Sequence, residues 1–493
     1  MTTARADTLD LRHPDRLFIG GSWVEPSSGE TFAVIDSHTE EPFLTVAAAS
    51  AADVDRAVSA AHDAFVDGPW ARLSHHERAD HLRAIAAGVR ERSAEISQMI
   101  PREHGMTWAF AEHGPGMDAA AYERYASLAD TFAFEEPRQA SYGGFGLLVR
   151  QPVGVVAAIV PWNGPFTTIT HKIAPALLAG CTVIVKLAPE APAQGYLLAE
   201  IVEAAGLPPG VVNVVTADRE VSELLVKDER VDKVSFTGST AAGRRIASLC
   251  GERIARCTLE LGGKSAALIL DDADIEQAAG VLGFYECINT GQVCSSLTRV
   301  VVTGDRHDQM VEALTGTFAA STVGDPFDSD TQMGPLVSQR QLDRVNGYIA
   351  KGVAEGATLA TGGGRPKHMN RGYYIEPTVF GNVDNHSTIA REEIFGPVLS
   401  VIPADSEAHA IEIANDTIYG LNASVFTNDI DRAYAAGRQF RTGNVGHNAL
   451  RWDQNIVFGG FKQSGIGREG GVEGLLPFLE AKLLLLDAMP SKL

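Results

Sequence analysis

Val153-Gly-Val-Val-Ala-Ala-Ile-Val160 is a short apolar run. A helical stretch from Thr167 to Ala179 follows it and stops at Gly180, and a second apolar run, Cys181-Thr-Val-Ile-Val-Lys186, comes next. Runs this short, apolar throughout and separated by helices, are strands of a parallel sheet covered on both faces. The alternation continues with a helix near 193–205, Val211-Val-Asn-Val-Val215 and Lys233-Val-Ser-Phe236. A second series of the same kind starts at Ser265-Ala-Ala-Leu-Ile-Leu270, with a helix over 274–288, a strand at Arg299-Val-Val-Val302 and helices near 308–320 and 338–354. Two α/β units of similar size are the expectation. Upstream, residues 50–68 and 75–100 read as amphipathic helices, the first opening at Ser50 with Asp53 in its first turn. Residues 134–150 and the tail Lys482-Leu-Leu-Leu-Leu-Asp487 belong to neither series and can pair as an apolar arm that seeks another subunit.

The 493 residues correspond to three domains or two large ones at roughly 150 residues per domain. Hydrophobic residues at 45% and charged residues at 21% fit a chain folded throughout. A net charge of −21 argues against nucleic acid and anionic membrane surfaces, because both need a positive field. The five cysteines are too few and too scattered for a disulfide framework, which fits a reducing, cytoplasmic setting. The acidic start lacks the apolar stretch of a signal peptide, and no run approaches the ~20 apolar residues of a membrane span. No CxxC or HExxH spacing is present, so no metal is expected.

Five segments place small or reactive residues where open α/β sheets bind ligands, beyond the strand ends. In Val160-Pro-Trp-Asn-Gly-Pro-Phe166, Asn163 can donate to a developing oxyanion. In Phe236-Thr-Gly-Ser-Thr-Ala-Ala-Gly243, a helix N-terminus and the Ser239 hydroxyl make an anion site. In Leu259-Glu-Leu-Gly-Gly-Lys-Ser265, the flanking leucines desolvate Glu260 and raise its pKa toward that of a usable base. In Asn289-Thr-Gly-Gln-Val-Cys-Ser295, Cys294 sits in a polar loop and is the candidate nucleophile, expected to be accessible and readily ionised; Cys181 and Cys287 fall in apolar patterns and belong to the core. In Glu392-Glu-Ile-Phe-Gly-Pro-Val398, Glu393 and Phe395 face the same side of an extended segment. Each segment alone has an ordinary structural reading: a turn, a strand-to-helix junction, a salt-bridged strand end, a core residue.

In their order the five segments resemble the NAD(P)-dependent aldehyde dehydrogenase superfamily, over Leu17-Phe-Ile-Gly-Gly-Ser-Trp23 to Phe458-Gly-Gly-Phe-Lys-Gln-Ser-Gly465. The resemblance implies a Rossmann-like dinucleotide-binding domain (1–133 and 149–259), an α/β catalytic domain (260–462) and a small β oligomerisation arm (134–148 and 480–493). It implies that Cys294 is the nucleophile, Glu260 the general base and Asn163 half of the oxyanion hole, with Lys172 and Glu469 assisting proton traffic. Lys186 would reach the adenosine ribose and Gly238 and Ser239 the pyrophosphate, Trp162 would lie along the cofactor, and Glu393 would hold the nicotinamide ribose beside Phe395. Val160, Pro161, Glu190 and Leu261 complete the cofactor set. NAD is the expected cofactor with NADP the alternative, the substrate a small-molecule aldehyde, and the assembly a homodimer or homotetramer.

The implied chemistry is addition of the Cys294 thiolate to the aldehyde, loss of hydride, and hydrolysis of the thioester by water that Glu260 activates. Rival readings are a CoA-acylating dehydrogenase, which has no use for a water-activating base, and a cofactor-free thiol hydrolase. Three departures from the family pattern stand out: no glycine in Thr216-Ala-Asp-Arg-Glu-Val-Ser222, Pro189 then Glu190 where NAD-preferring members carry Glu three residues past the lysine, and Val457 for the usual proline. An acid near the ribose repels a 2′-phosphate, which favours NAD. Gly164, Thr167, Thr168 and His171 predict a roomy, partly polar substrate funnel, and the Arg451-Trp-Asp453 stretch can reach the distal part of a substrate.

Overall fold

The computed structural model describes residues 11–451, 453 and 455–491. Readings of the first ten residues, of Trp452 in the Arg451–Asp453 stretch and of the last two residues lie outside the described residues. Helix α1 (Ala51–Val66) precedes the first sheet. The chain then runs β1 (Val155–Ile159), α2 (Pro165–Ala179), β2 (Thr182–Leu187), α3 (Ala193–Ala204), β3 (Val212–Thr216), β4 (Lys233–Thr237), α4 (Thr240–Glu252) and β5 (Arg256–Glu260). These five strands are parallel in the order β5-β4-β1-β2-β3, extended by the pair Leu17–Ile19 and Ser22–Val24 beyond β3 and by Gly465–Ile466 beyond β5.

Alternate residues of β1 supply two cores: Val156 and Ala158 join one cluster with α2 and α3, while Val155, Ala157 and Ile159 join another with α1 and α4. Both faces are thus buried, which is why the strands read as unbroken apolar runs. Each fully buried Val or Ile contributes roughly 1.5–3 kcal/mol.

The order reverses between β4 and β1. From β1 the chain winds outward through β2 and β3, then crosses back to β4 and winds the other way to β5. Ligands in open α/β sheets bind at such a reversal, outside the carboxyl ends of the strands. The register sets Ile159 level with Lys186 and with Phe236, and Thr237 level with Glu260, so the segments after four strands open at one height.

The second sheet contains β6 (Ala266–Ile269), β7 (Arg299–Thr303), β8 (Thr378–Gly381), β9 (Val398–Ala404), β10 (Asn422–Phe426) and β11 (Asn444–His447), parallel in the order β8-β9-β7-β6-β10-β11. Helices α5 (Ile275–Cys287), α6 (His307–Ala319) and α7 (Gln339–Ala354) cover it. A third, antiparallel sheet pairs Leu479–Leu486 with Phe145–Pro152, and the latter with Glu135–Arg138. The helix expected over 75–100 is two, His75–Glu91 and Ser93–His104, parted at Arg92, whose guanidinium bridges Glu95 and Glu200. Among the described residues no helix is long and apolar enough to cross a membrane.

The start of α1 shows how the sequence anchors a helix. Asp53 accepts from the Ser50 N–H at 2.8 Å, from the Ser27 N–H at 3.0 Å and from the Ser27 hydroxyl at 2.7 Å, and it pairs with Arg56. Burial opposes its charge, but the bonds from Ser50, Ser27 and Arg56 outweigh that and hold the carboxyl below its ordinary range. A depressed folded-state pKa gives stability that is present above the unfolded value and lost as pH falls through the folded one. Asp53→Asn is expected to destabilise the protein at pH 7 by about 1.5–3 kcal/mol. Thermal melts check this: the difference from wild type should narrow below pH 4, and a pH-independent difference contradicts the role of the charge.

Candidate active site

Cys294 lies in the loop between α5 and β7, and that loop is laced to its surroundings by its own polar side chains. The Asn289 amide donates to the Asn163 carbonyl at 2.9 Å, and the Asn163 amide donates to the Gln292 carbonyl at 2.9 Å. Fully buried Gln292 donates to the His104 carbonyl and accepts from the Val337 N–H, while the Thr290 hydroxyl donates to the Gly334 carbonyl. These bonds bring Asn163, four residues past β1, against the turn that carries Cys294. The Asn163 amide has two hydrogens. One fixes its orientation on the Gln292 carbonyl, in the loop that carries Cys294.

Glu260 ends β5, and Gly262-Gly263 follows. A side chain at 263 would put its Cβ 2.3 Å from the Cys294 carbonyl oxygen, and one at 262 would put it 2.2 Å from a carboxylate oxygen of Glu393. The Gly263 N–H donates to Glu393 at 3.0 Å. The paired glycines therefore let three chain segments meet at one point. Both Glu260 carboxyl oxygens are buried without a hydrogen-bond partner, and a Cβ at 459 would stand 2.6 Å from one of them. Burial first, and then the charge of Glu469, raise the Glu260 pKa well above the usual range, against the pull of Lys172 and Arg468. Lys172, fully buried in α2, pairs with Glu469 at 2.6 Å. Glu469 is tied by backbone bonds to Phe458, at the head of the Phe458-Gly-Gly460 turn.

The remaining predicted residues, Glu393 and Phe395 apart, lie at or just past the carboxyl ends of β1, β2, β4 and β5. Val160 donates its N–H to the Lys186 carbonyl and Gly238 donates to the Glu260 carbonyl, which ties the segments after β1, β2, β4 and β5 together. Ser239 caps α4, accepting from the Ala242 N–H at 3.3 Å, and beside it the buried Thr237 hydroxyl has no partner. Leu261 is buried and donates its N–H to the Ser464 carbonyl. Lys186 is buried, and desolvation brings its ammonium down to about 8, with Glu190 and Asp218 as partial counter-charges. Trp162, next to half-buried Pro161, meets Phe395 edge to face at 5.4 Å between ring centres. Phe395 holds a left-handed backbone, φ 63°, a strained state that neighbours must maintain.

Those neighbours are residues that sequence reasoning missed. From the first turns of α7, Gln341 donates to the Phe395 carbonyl at 2.6 Å, and Arg344 donates to the Ile394 carbonyl at 3.1 Å and to that of Glu393. One residue earlier, Arg340 pairs with Glu190, which follows β2, at 2.6 Å. The stretch Gln339-Arg-Gln-Leu-Asp-Arg344 reads as a solvated helix face, so only an alignment of relatives could have marked it.

Two expectations are corrected. The two hydroxyls that suggested a polar funnel are engaged: that of Thr168 donates to the Gly164 carbonyl at 2.8 Å and that of Thr167 to the buried carboxyl of Asp118 at 3.1 Å, whose other oxygen has no partner. Arg451 is exposed and donates to the His447 carbonyl. The Cys294 thiol is also not readily ionised. The residue is half-buried, and desolvation first, then the charges of Glu393 and Glu260, push the thiol up to about 12. A raised pKa keeps the proton on at neutrality, so the thiolate fraction climbs about tenfold per pH unit below that value. Carboxamidomethylation of the Cys294 peptide in the cofactor-free protein should therefore accelerate steadily from pH 7 to 9; a plateau near neutrality contradicts this.

The Aldehyde dehydrogenase family profile matches residues 23–484. A geranial dehydrogenase from Castellaniella defragrans is 44% identical over 95% of this chain and 97% of its own length. An aldehyde dehydrogenase from Mycobacterium tuberculosis, solved with NAD+, superposes with a TM-score of 0.93 at 45% identity, covering 96% of this chain and 98% of that one. A cysteine-to-alanine variant of aldehyde dehydrogenase C from Pseudomonas syringae, solved with NAD+ and octanal, gives 0.94 at 37% identity over 99% and 100% of the two chains. With most of its length matched by the family profile and by relatives this similar, the chain belongs to the aldehyde dehydrogenase family.

Proposed function

We propose that this protein oxidises an aldehyde to its carboxylic acid with NAD through a thioester on Cys294. The observation that carries the reading is the meeting of three segments: Cys294 with Asn163 laced to its loop, and Glu260 on a strand end that touches that loop through Gly263.

The crevice suits a dinucleotide. The capped start of α4 and the partnerless Thr237 hydroxyl suit a pyrophosphate, Lys186 a ribose hydroxyl, and Glu393 the second ribose, with Trp162 and Phe395 as apolar walls. NAD, when bound, supplies the hydride acceptor. The relatives from Mycobacterium tuberculosis and Pseudomonas syringae were solved with NAD+, which supports the choice.

Cys294 Sγ passes its proton through water to the Glu260 carboxylate and adds to the aldehyde carbon. The second amide hydrogen of Asn163 and the Cys294 N–H hold the oxyanion that forms. Loss of hydride leaves an acyl group on Sγ. Glu260 then takes a proton from water, the hydroxide attacks the thioester, and the acid departs as the Cys294 thiolate is released. Glu260 faces the buried Lys172–Glu469 pair, which gives the proton it has gained a polar route away from the sulfur.

An apolar aldehyde is the proposed substrate class. The hydroxyls of Thr167 and Thr168 are engaged within the protein, and the relatives named above include a geranial dehydrogenase and a complex with octanal. The proposed domains are 1–133 with 149–259 for the dinucleotide and 260–462 for the nucleophile, with 134–148 and 480–493 as the arm. The arm's strand exposes Leu483 at 53% and Leu485 at 65%, an apolar edge suited to a homodimer or homotetramer. The five free thiols fit a reducing cytoplasm.

NADH absorbance over a panel of straight and branched aldehydes tests the reaction. Asn163→Ala is expected to lower kcat by about 10²–10³ with NAD binding retained. Cys294→Ala should be inactive, and continued NAD reduction by that variant excludes the covalent route.

A further inference from the structure

The Arg340–Glu190 pair is a feature of the crevice that the proposed reaction leaves unused. Glu190 stands four residues beyond Lys186, past the end of β2, and Arg340 is the second residue of α7. Helix α7 also holds the Glu393 and Phe395 carbonyls, so a single rigid helix reaches both the Glu393 end and the Lys186 end of the crevice. Its position is fixed by Leu342, Val345 and Ile349, which are buried in the second core.

The charges near Lys186 nearly cancel: Lys186 and Arg340 against Glu190 and Asp218. The expected bias against a 2′-phosphate assumed a lone acid at Glu190, but its charge is matched at 2.6 Å by a guanidinium. The pair is also loosely held. The Arg340 side chain is 78% exposed against 26% for Glu190, and exposed ion pairs are weak because water competes for both partners. A guanidinium binds phosphate with two parallel charged hydrogen bonds, whereas a carboxylate accepts from a ribose hydroxyl. Both groups are present here, and only the longer, more exposed one needs to swing.

We propose that Arg340 and Glu190 form an adaptable ribose subsite, Glu190 taking the 2′-hydroxyl of NAD and Arg340 turning onto the 2′-phosphate of NADP, so that this enzyme uses both. The inference rests on the reading above that the Lys186 end of the crevice holds the adenosine ribose. Asp218 stays beside Lys186 in either case, capping the helix Arg219–Lys227 by accepting from the Val221 N–H at 2.9 Å. It is therefore committed to the fold and does not take part in the exchange.

Titrations of NAD+ and NADP+ without aldehyde, followed by tryptophan fluorescence and calorimetry, test this on wild type, Arg340→Ala, Arg340→Lys and Glu190→Gln. Wild type should bind the two dinucleotides within about tenfold of each other. Arg340→Ala should weaken NADP+ by about tenfold or more and change NAD+ by less than about threefold, with Arg340→Lys intermediate and Glu190→Gln shifting preference toward NADP+. Turnover of an aldehyde with each cofactor should follow the same order. The proposal fails if wild type does not bind NADP+, or if Arg340→Ala weakens both dinucleotides equally, which would make the pair a structural tie between α7 and β2. Failure of the underlying reading looks different: wild type would then bind neither dinucleotide and would not reduce NAD.

Discussion

The site depends on two residues having no side chains. Gly262 and Gly263 lead away from the strand that ends in Glu260, and the Cys294 loop and the Glu393 carboxylate approach them to distances at which any Cβ would overlap. Glu260, Cys294 and Glu393 come from three separate parts of the chain, and this contact sets their separation. The polar lacing of Asn289, Gln292 and Asn163 then fixes the loop's orientation. Buried amides of this kind are unforgiving, because each one left unpaired costs about 1–3 kcal/mol. The loop therefore has few alternative conformations to adopt.

A site closed this tightly is poorly solvated, and its acids hold their protons. Burial raises Cys294 to about 12 and Glu393 to about 7, and lifts Glu260 well above the ordinary carboxylate range. The same packing that places the groups thus weakens each of them as an acid, and a polyanionic surface, with a net charge of −21, adds to the cost of another negative charge. The compensating feature is buried Lys172, which is paired with Glu469 rather than with Glu260. Glu260 is left without a hydrogen-bond partner of its own, which is what a group that must exchange protons with water requires.

The strand series and its reversal were legible because β1, β2 and β4 are buried on both faces, and such strands leave an unbroken apolar record. The order of the five motifs also pointed to Cys294, Glu260 and Asn163, whose segments the fold brings together. The charge state of Cys294 was not legible, because a polar loop sequence does not reveal that the loop folds inward beneath Gly263. The engagement of two hydroxyls was hidden for a related reason: those of Thr167 and Thr168 look available until Asp118 and the Gly164 carbonyl are placed against them. Arg340, Gln341 and Arg344 carry no signal at all in one sequence, since a helix face that braces a distant loop has the composition of one that faces water.

The central claim is that the acyl group rests on Cys294 until Glu260 activates water. Peptide mass spectrometry of Glu260→Gln, mixed with NAD and a straight-chain aldehyde and quenched in acid, tests it directly. The account predicts one equivalent of NADH per site and an acyl mass increment confined to the Cys294 peptide. Sustained NADH production with no adduct, or an adduct on another residue, would contradict it.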